Sequence, residues 1–181
     1  WLLLVTSWLA WLYTQVFATA MLMVTLDRVG GMSFFDASNG GDPLLYEHVF
    51  WFYSHPAVYI MVIPGFGIAL EVIAHFSRKP FYAYRYAVGA FMGILGLSGV
   101  VWAHHMFTSG MPNYLHGPFL IMTEAISVPT GLIFLCALGT IWMGRLWLTA
   151  PMLFAMAVIF NFACGGVTGI FLADGRRDIH L

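Results

Sequence analysis

The run Trp51-Phe52-Tyr53-Ser54-His55-Pro56-Ala57-Val58-Tyr59-Ile60-Met61-Val62-Ile63-Pro64-Gly65-Phe66-Gly67 sets a histidine, two tyrosines and a serine into an apolar stretch long enough to cross a bilayer. On a helix His55 and Tyr59, four residues apart, share one face and lie one turn from each other. Polar side chains at membrane depth are costly, so they pair, line a cavity or bind a cofactor. The run is therefore predicted to be the middle of a transmembrane helix that carries the chemistry. Pro56 removes a backbone donor immediately after His55 and is expected to bend the helix there, and Pro64 repeats the effect two turns on.

Composition agrees with a membrane setting. The chain is 61% hydrophobic and 8% charged, against roughly a quarter charged in soluble domains, and its mean hydropathy is +0.85. The predicted class is an all-α integral membrane protein. A net charge of -1 without a basic stripe excludes a nucleic-acid footprint. Cys136 and Cys164 sit singly in apolar runs and read as small buried hydrophobes. The sequence starts inside a hydrophobic run without an initiator Met and without the charged n-region of a signal peptide, so it is expected to be part of a longer protein.

About five spans are predicted, roughly 1–25, 44–76, 86–107, 118–143 and 146–173, in a single membrane domain over 1–181. Asp42-Pro43 suits the start of the second. The third carries Gly89, Gly93, Gly96 and Gly99, which permit close helix approach. Alternation of the spans puts Arg78, Lys79, Arg85 and Arg145 on one face and Arg28, Arg176 and Arg177 on the other. The first face has short loops without acids and is expected to be cytoplasmic.

The second constellation closes the third span, at Trp102-Ala103-His104-His105-Met106-Phe107-Thr108. Adjacent histidines on a regular helix diverge by about 100°. At a helix end the backbone can deviate and let both join a third imidazole, for which His55 is the obvious candidate. Three neutral imidazoles suit Cu, Zn or Fe, with a position open for a small ligand. Spacing alone leaves a pair of interfacial histidines as an equal reading, and His48, His75, His116 and His180, near span ends, read as interfacial residues.

Several motifs, in order along nearly the whole chain, resemble subunit I of the heme–copper oxygen reductases, the cytochrome c oxidase family. They are Phe34-Phe35-Asp36, Gly40-Gly41-Asp42-Pro43, Trp51, His55-Pro56-x-Val58-Tyr59-Ile60, Pro64-Gly65-Phe66-Gly67, Trp102 to Thr108, Pro129-Thr130-Gly131 and Gly165-Gly166-x-Thr168-Gly169. The resemblance implies helices five to nine of a twelve-helix core. It also implies that His55, His104 and His105 are the ligands of a copper ion facing a high-spin heme. Tyr59 matches the tyrosine covalently joined to the first of these histidines, which supplies an electron and a proton when the O–O bond breaks. Trp51 matches a tryptophan packed on the copper site, and Asp178 an aspartate near the heme propionates. The ligands of the high-spin and low-spin hemes belong to helices two and ten, outside this sequence.

Two departures from the family pattern are visible. Most members carry a proton-donating glutamate where this chain has Ala57; one branch instead has Tyr-Ser before the histidine, as in Tyr53-Ser54 here. Tyr53, one turn from Ala57, is expected to reach toward the space of the missing carboxylate. The family also uses a channel lysine two residues after Pro-Thr-Gly, where this chain has Ile133. Thr130, Glu71 and the intramembrane Glu124 join Tyr53 and Ser54 as proton-path candidates, with pairing inside the bundle an equal reading for Glu124.

The resemblance implies the catalytic subunit of a respiratory terminal oxidase that reduces dioxygen to water, coupled to proton uptake and to proton pumping. It would work in a prokaryotic plasma membrane, surrounded by lipid, with partners of the subunit II and III type and electrons from cytochrome c or another donor. The rival readings are a nitric oxide reductase, which would hold non-heme iron and is expected to lack the tyrosine, and a transporter with a histidine-lined pore.

Overall fold

The computed structural model describes residues 1–173. Its helices are α1 (Leu2–Gly30), α2 (Pro43–Phe76), α3 (Tyr84–Ser98), α4 (Asn113–Ile141) and α5 (Ala150–Ala173), with 3-10 turns at Ala37–Asn39 and Trp102–Met106; the described residues contain no strand. Four of the helices, α1, α2, α4 and α5, are long and apolar enough to cross a membrane. Their outward side chains are themselves apolar, among them Trp11, Met61, Ile68, Leu135 and Phe154, as lipid requires.

Local chemistry sets the helix ends. Asp42 caps α2 by accepting the Leu45 amide at 3.0 Å, and Pro43 follows at a position whose amide would have no partner. Gly31, at φ +67°, ends α1 and its amide donates to the Leu26 carbonyl. The helix thus runs past Asp27 and Arg28, charges that the interface tolerates. Between α1 and α2 the Asp36 carboxylate accepts from Ser38 and Asn39, bonds that hold its pKa below the usual carboxylate range.

The third span differs from the expected 86–107. Helix α3 has only 15 residues, about 22 Å of rise, and the chain then tightens. The Ser98 hydroxyl donates to the Leu95 carbonyl and the Val100 amide to Leu97, so the last turn closes on i to i+3 bonds before the 3-10 turn at Trp102. A Cβ at Gly99 would overlap the Tyr13 hydroxyl of α1 and would have to displace that side chain. At the other end α4 begins at Asn113, one turn earlier than expected, because Pro112 supplies the turn into the helix and Pro118 is accommodated within it.

Helix α2 is the axis of the molecule and contacts all four other helices and the 3-10 turn Trp102–Met106. Its half from Ile63 to Ile73 builds one apolar core with Phe91 and Ile94 of α3, Ile133 of α4 and Met152 of α5. Its other half, around Trp51 to Tyr59, faces the 3-10 turn.

The face bearing Arg78, Lys79 and Arg145 is tied together by carbonyls that helix ends leave unpaired. After a turn at Trp142 and Met143, residues 144–149 link α4 to α5, and the Arg145 and Trp147 amides donate to the Ser77 and Phe76 carbonyls at 2.9 Å each. Lys79 Nζ donates to the Gly139 and Trp142 carbonyls at 2.8 Å each, closing the end of α4. Replacing Lys79 with methionine is expected to lower stability by about 1–3 kcal/mol, read as a fall in the apparent melting temperature of the parent-length protein in detergent; an unchanged value would make the two bonds dispensable.

Candidate metal centre

Two elements bring the imidazoles together. His55 comes from the middle of α2, 5% exposed, beside Pro56, whose missing amide leaves the Phe52 carbonyl without its helical partner. His104 and His105 come from the 3-10 turn, where the Val101 backbone (φ −113°, ψ 0°) has already left the α-helix. One nitrogen from each of the three histidines lies within 4.8 Å of the other two.

The pairwise geometry suits one shared ion. His55 Nδ1 and His105 Nε2 are 3.2 Å apart, and two donors about 2.0 Å from a tetrahedral ion sit about 3.3 Å from each other. The His55 and His104 rings meet edge to face, with centroids 4.6 Å apart. His104 Nδ1 lies 3.1 Å from Thr123 Oγ1, and that hydroxyl donates its only proton to the Phe119 carbonyl at 2.7 Å. Thr123 must therefore accept, His104 Nδ1 carries the hydrogen, and His104 Nε2 keeps its lone pair for a metal. His105 is held flat against Trp51, with centroids 3.9 Å apart and planes 7° apart. His55 Nε2 is buried without a hydrogen-bond partner, while the Tyr59 ring centroid lies 4.7 Å from the imidazole. An all-nitrogen, neutral donor set, with His55 Nδ1 and His105 Nε2 turned toward each other, fits a late first-row metal.

Thr123→Val keeps the shape and removes the acceptor that fixes the His104 tautomer. The expected result is metal affinity lower by about tenfold or more, read as metal retained after dialysis against a chelator. Equal retention would mean that Thr123 does not orient His104.

A cavity of about 570 Å³ opens beside the histidines, lined by His55, Tyr59 and His104, by apolar residues of α2 and by Thr123, Glu124, Ser127 and Thr130 of α4, with Phe162 and Gly166 of α5 opposite. Of the sequence candidates, Trp51, His55, Tyr59, His104, His105, Glu124 and Thr130 gather here. Tyr53 does not: it stacks on Phe17 of α1, with centroids 4.6 Å apart. Ser54 is half-buried on α2. Glu71 lines a separate small cavity with Trp1 and Tyr84, about 110 Å³ in volume, and Asp178 and His180 lie outside the described residues. His48 accepts the Trp102 indole N–H at 3.3 Å, a packing role.

Thr123 and Ser127 were not among the sequence candidates. Their signal was a polar stripe in an apolar helix: Thr123, Ser127 and Thr130 follow i, i+4, i+7 and so share one face.

Comparison with known proteins identifies the family. The chain is 46% identical over 181 residues to cytochrome c oxidase subunit 1 of Synechocystis sp., covering all of this chain and 33% of that protein. It is 45% identical over 178 residues to cytochrome c oxidase subunit 1 of Cereibacter sphaeroides, covering 98% of this chain and 31% of that one. It is also 45% identical over 181 residues to a probable cytochrome c oxidase subunit 1-alpha of Streptomyces avermitilis, covering all of this chain and 31% of the relative. The chain thus spans about a third of the length of the curated relatives it matches. Four apolar spanning helices and bacterial relatives make it an integral membrane protein of a prokaryotic plasma membrane. Residues 1–181 match the family described as cytochrome C and quinol oxidase polypeptide I, and the chain belongs to that family.

Proposed function

We propose that this chain builds the dioxygen-reducing centre of a terminal oxidase subunit I, with His55, His104 and His105 as copper ligands and Tyr59 as the redox-active side chain. The observation that carries the reading is the convergence of three imidazole nitrogens within 4.8 Å of one another, beside Tyr59, at the wall of a cavity about 570 Å³ in volume. Copper, together with a high-spin heme, supplies the electrons and the binding position for dioxygen when both are bound. Among the described residues, the histidines on the cavity are His55 and His104. Both are committed to the metal cluster, so neither is assigned to a heme, whose ligands the resemblance puts outside this sequence.

The chain's own residues supply the rest. The Thr123 hydroxyl and the Trp51 face fix the His104 and His105 rings, so the donor set is organised before any ion binds. Tyr59 presents a phenol on the same cavity. Four-electron reduction of dioxygen needs one more electron and proton than two metals readily give, and a phenol can lend both. The orphaned His55 Nε2 leaves that nitrogen free for the covalent link to Tyr59 that the resemblance implies. The apolar wall of Val58, Val62, Ile63 and Phe66 keeps bulk water from the reacting atoms. Trp51 packs the site, and Asp178, outside the described residues, is the one the resemblance assigns to the heme propionate region. The subunit works with partners of the subunit II and III type and takes its electrons from cytochrome c or another donor. Protons come from the cytoplasmic face, which carries Arg78, Lys79, Arg85 and Arg145, and uptake is coupled to pumping.

The test is oxygen consumption by the purified parent-length complex, measured beside its optical spectrum. Dioxygen uptake with a heme Soret band is expected. Uptake of nitric oxide but not dioxygen would move the assignment to nitric oxide reduction, and a protein without a Soret band would be a histidine-lined transporter.

A further inference from the structure

The cavity beside the histidines has two unlike walls. Along α2 it presents Val58, Val62, Ile63 and Phe66, and along α4 it presents Thr123, Glu124, Ser127 and Thr130. Among the described residues, the titratable side chains on this cavity are His55, Tyr59, His104 and Glu124, so Glu124 is its one carboxyl. It lies eleven residues into α4, about 16–17 Å from the helix start, inside the apolar span. A carboxyl at that depth marks a proton or ion path unless it is paired.

Its neighbours are suited to pass protons. Ser127 and Thr130 follow at one-turn spacing on the same wall. Their hydroxyls donate to the Glu124 and Ile126 carbonyls, so each oxygen keeps lone pairs free to accept from water.

The alternative line to Tyr59, through the packed interior of α2 and α4, is closed. Glu71 stands twelve residues from Tyr59 on α2, and every side chain between them is apolar. Leu70 at 5% exposure and Ile133 at 2% plug that interior, inside one apolar cluster with Ile63 and Ile73. An apolar plug leaves water no polar partner to occupy it.

We propose that Glu124 is the carboxylic acid that passes protons, through cavity water and the Ser127 and Thr130 hydroxyls, to the oxygen atoms reduced beside Tyr59. This rests on the oxygen-reducing reading of the site. In each transfer the Glu124 carboxyl gives one proton to a reduced oxygen and becomes carboxylate, and a proton carried by cavity water restores it. The electrons come from the donor that feeds the subunit, so four electrons and four protons convert one dioxygen to two waters. The α4 wall is polar only as far as Thr130, which makes Glu124 a local proton store for the cavity rather than the mouth of a channel.

The experiment compares the parent-length oxidase with its Glu124→Gln and Glu124→Asp variants, measuring metal content, optical spectrum, oxygen turnover and the redox-induced infrared difference spectrum. Glu124→Gln is expected to keep copper and hemes and to lose turnover by on the order of 100-fold. A protonated-carboxyl band that responds to reduction in the native protein is expected to vanish in Glu124→Gln and to return, shifted, in Glu124→Asp with partial turnover. Unchanged turnover with the band still present overturns the proposal. Loss of metal or heme in both variants also overturns it, since Glu124 would then be a structural residue. A native complex that binds no copper and consumes no oxygen would instead overturn the reading of the site itself, before any variant is compared.

Discussion

Tyr59→Phe in the parent-length complex is expected to keep its copper and hemes while oxygen turnover falls by on the order of 100-fold or more. The phenylalanine fills the same volume beside His55, whose ring centroid stands 4.7 Å from that of Tyr59, so packing survives. What is removed is one hydroxyl on the cavity wall, the group assigned to give an electron and a proton. Metal analysis and oxygen consumption on the same sample separate the two effects. Full turnover would leave Tyr59 as a packing residue, whereas loss of copper together with turnover would mean that the phenol supports the metal cluster rather than the chemistry.

His55→Ala is expected to have the largest effect on the metal: copper falls from about one ion per high-spin heme to none. The reason is geometric. His55 alone comes from α2, while His104 and His105 come from one short 3-10 turn. Without it, two imidazoles on adjacent residues must hold the ion with no anchor on the opposite side. His104→Ala and His105→Ala are expected to lose copper as well. His48→Ala is the control, because His48 spends a ring nitrogen on the Trp102 indole and is not in the cluster. Copper retained in His55→Ala, or lost in His48→Ala, would mean that other side chains hold the ion.

Spanning helices were legible in the sequence because lipid demands continuous apolar runs, and α2 was marked at both ends by Asp42-Pro43 and by Ser77-Arg78-Lys79. The break in the third span was not legible. Its glycines read as packing surface, and the neighbour that packs on the break at Gly99, Tyr13 of α1, lies far away in the chain. Periodicity gave His55 and Tyr59 a common face, but could not bring His104 and His105 to them, since that depends on the turn Trp102–Met106 lying across α2. Tyr53, one turn from Ala57, stacks its ring on Phe17 of α1, a contact that no local spacing in the sequence marks. Thr123 escaped notice because one hydroxyl in an apolar helix satisfies itself on the preceding turn, as Thr123 does on Phe119, and only the structure shows the same oxygen accepting from His104.

The most direct test of the central claim is X-ray absorption at the copper edge of the purified parent-length complex. Three histidines sharing one ion are expected to give about three imidazole nitrogens per copper at about 2.0 Å, with the site absent from His55→Ala. Iron in that position, or a complex with no metal bound by His55, His104 and His105, would contradict the account.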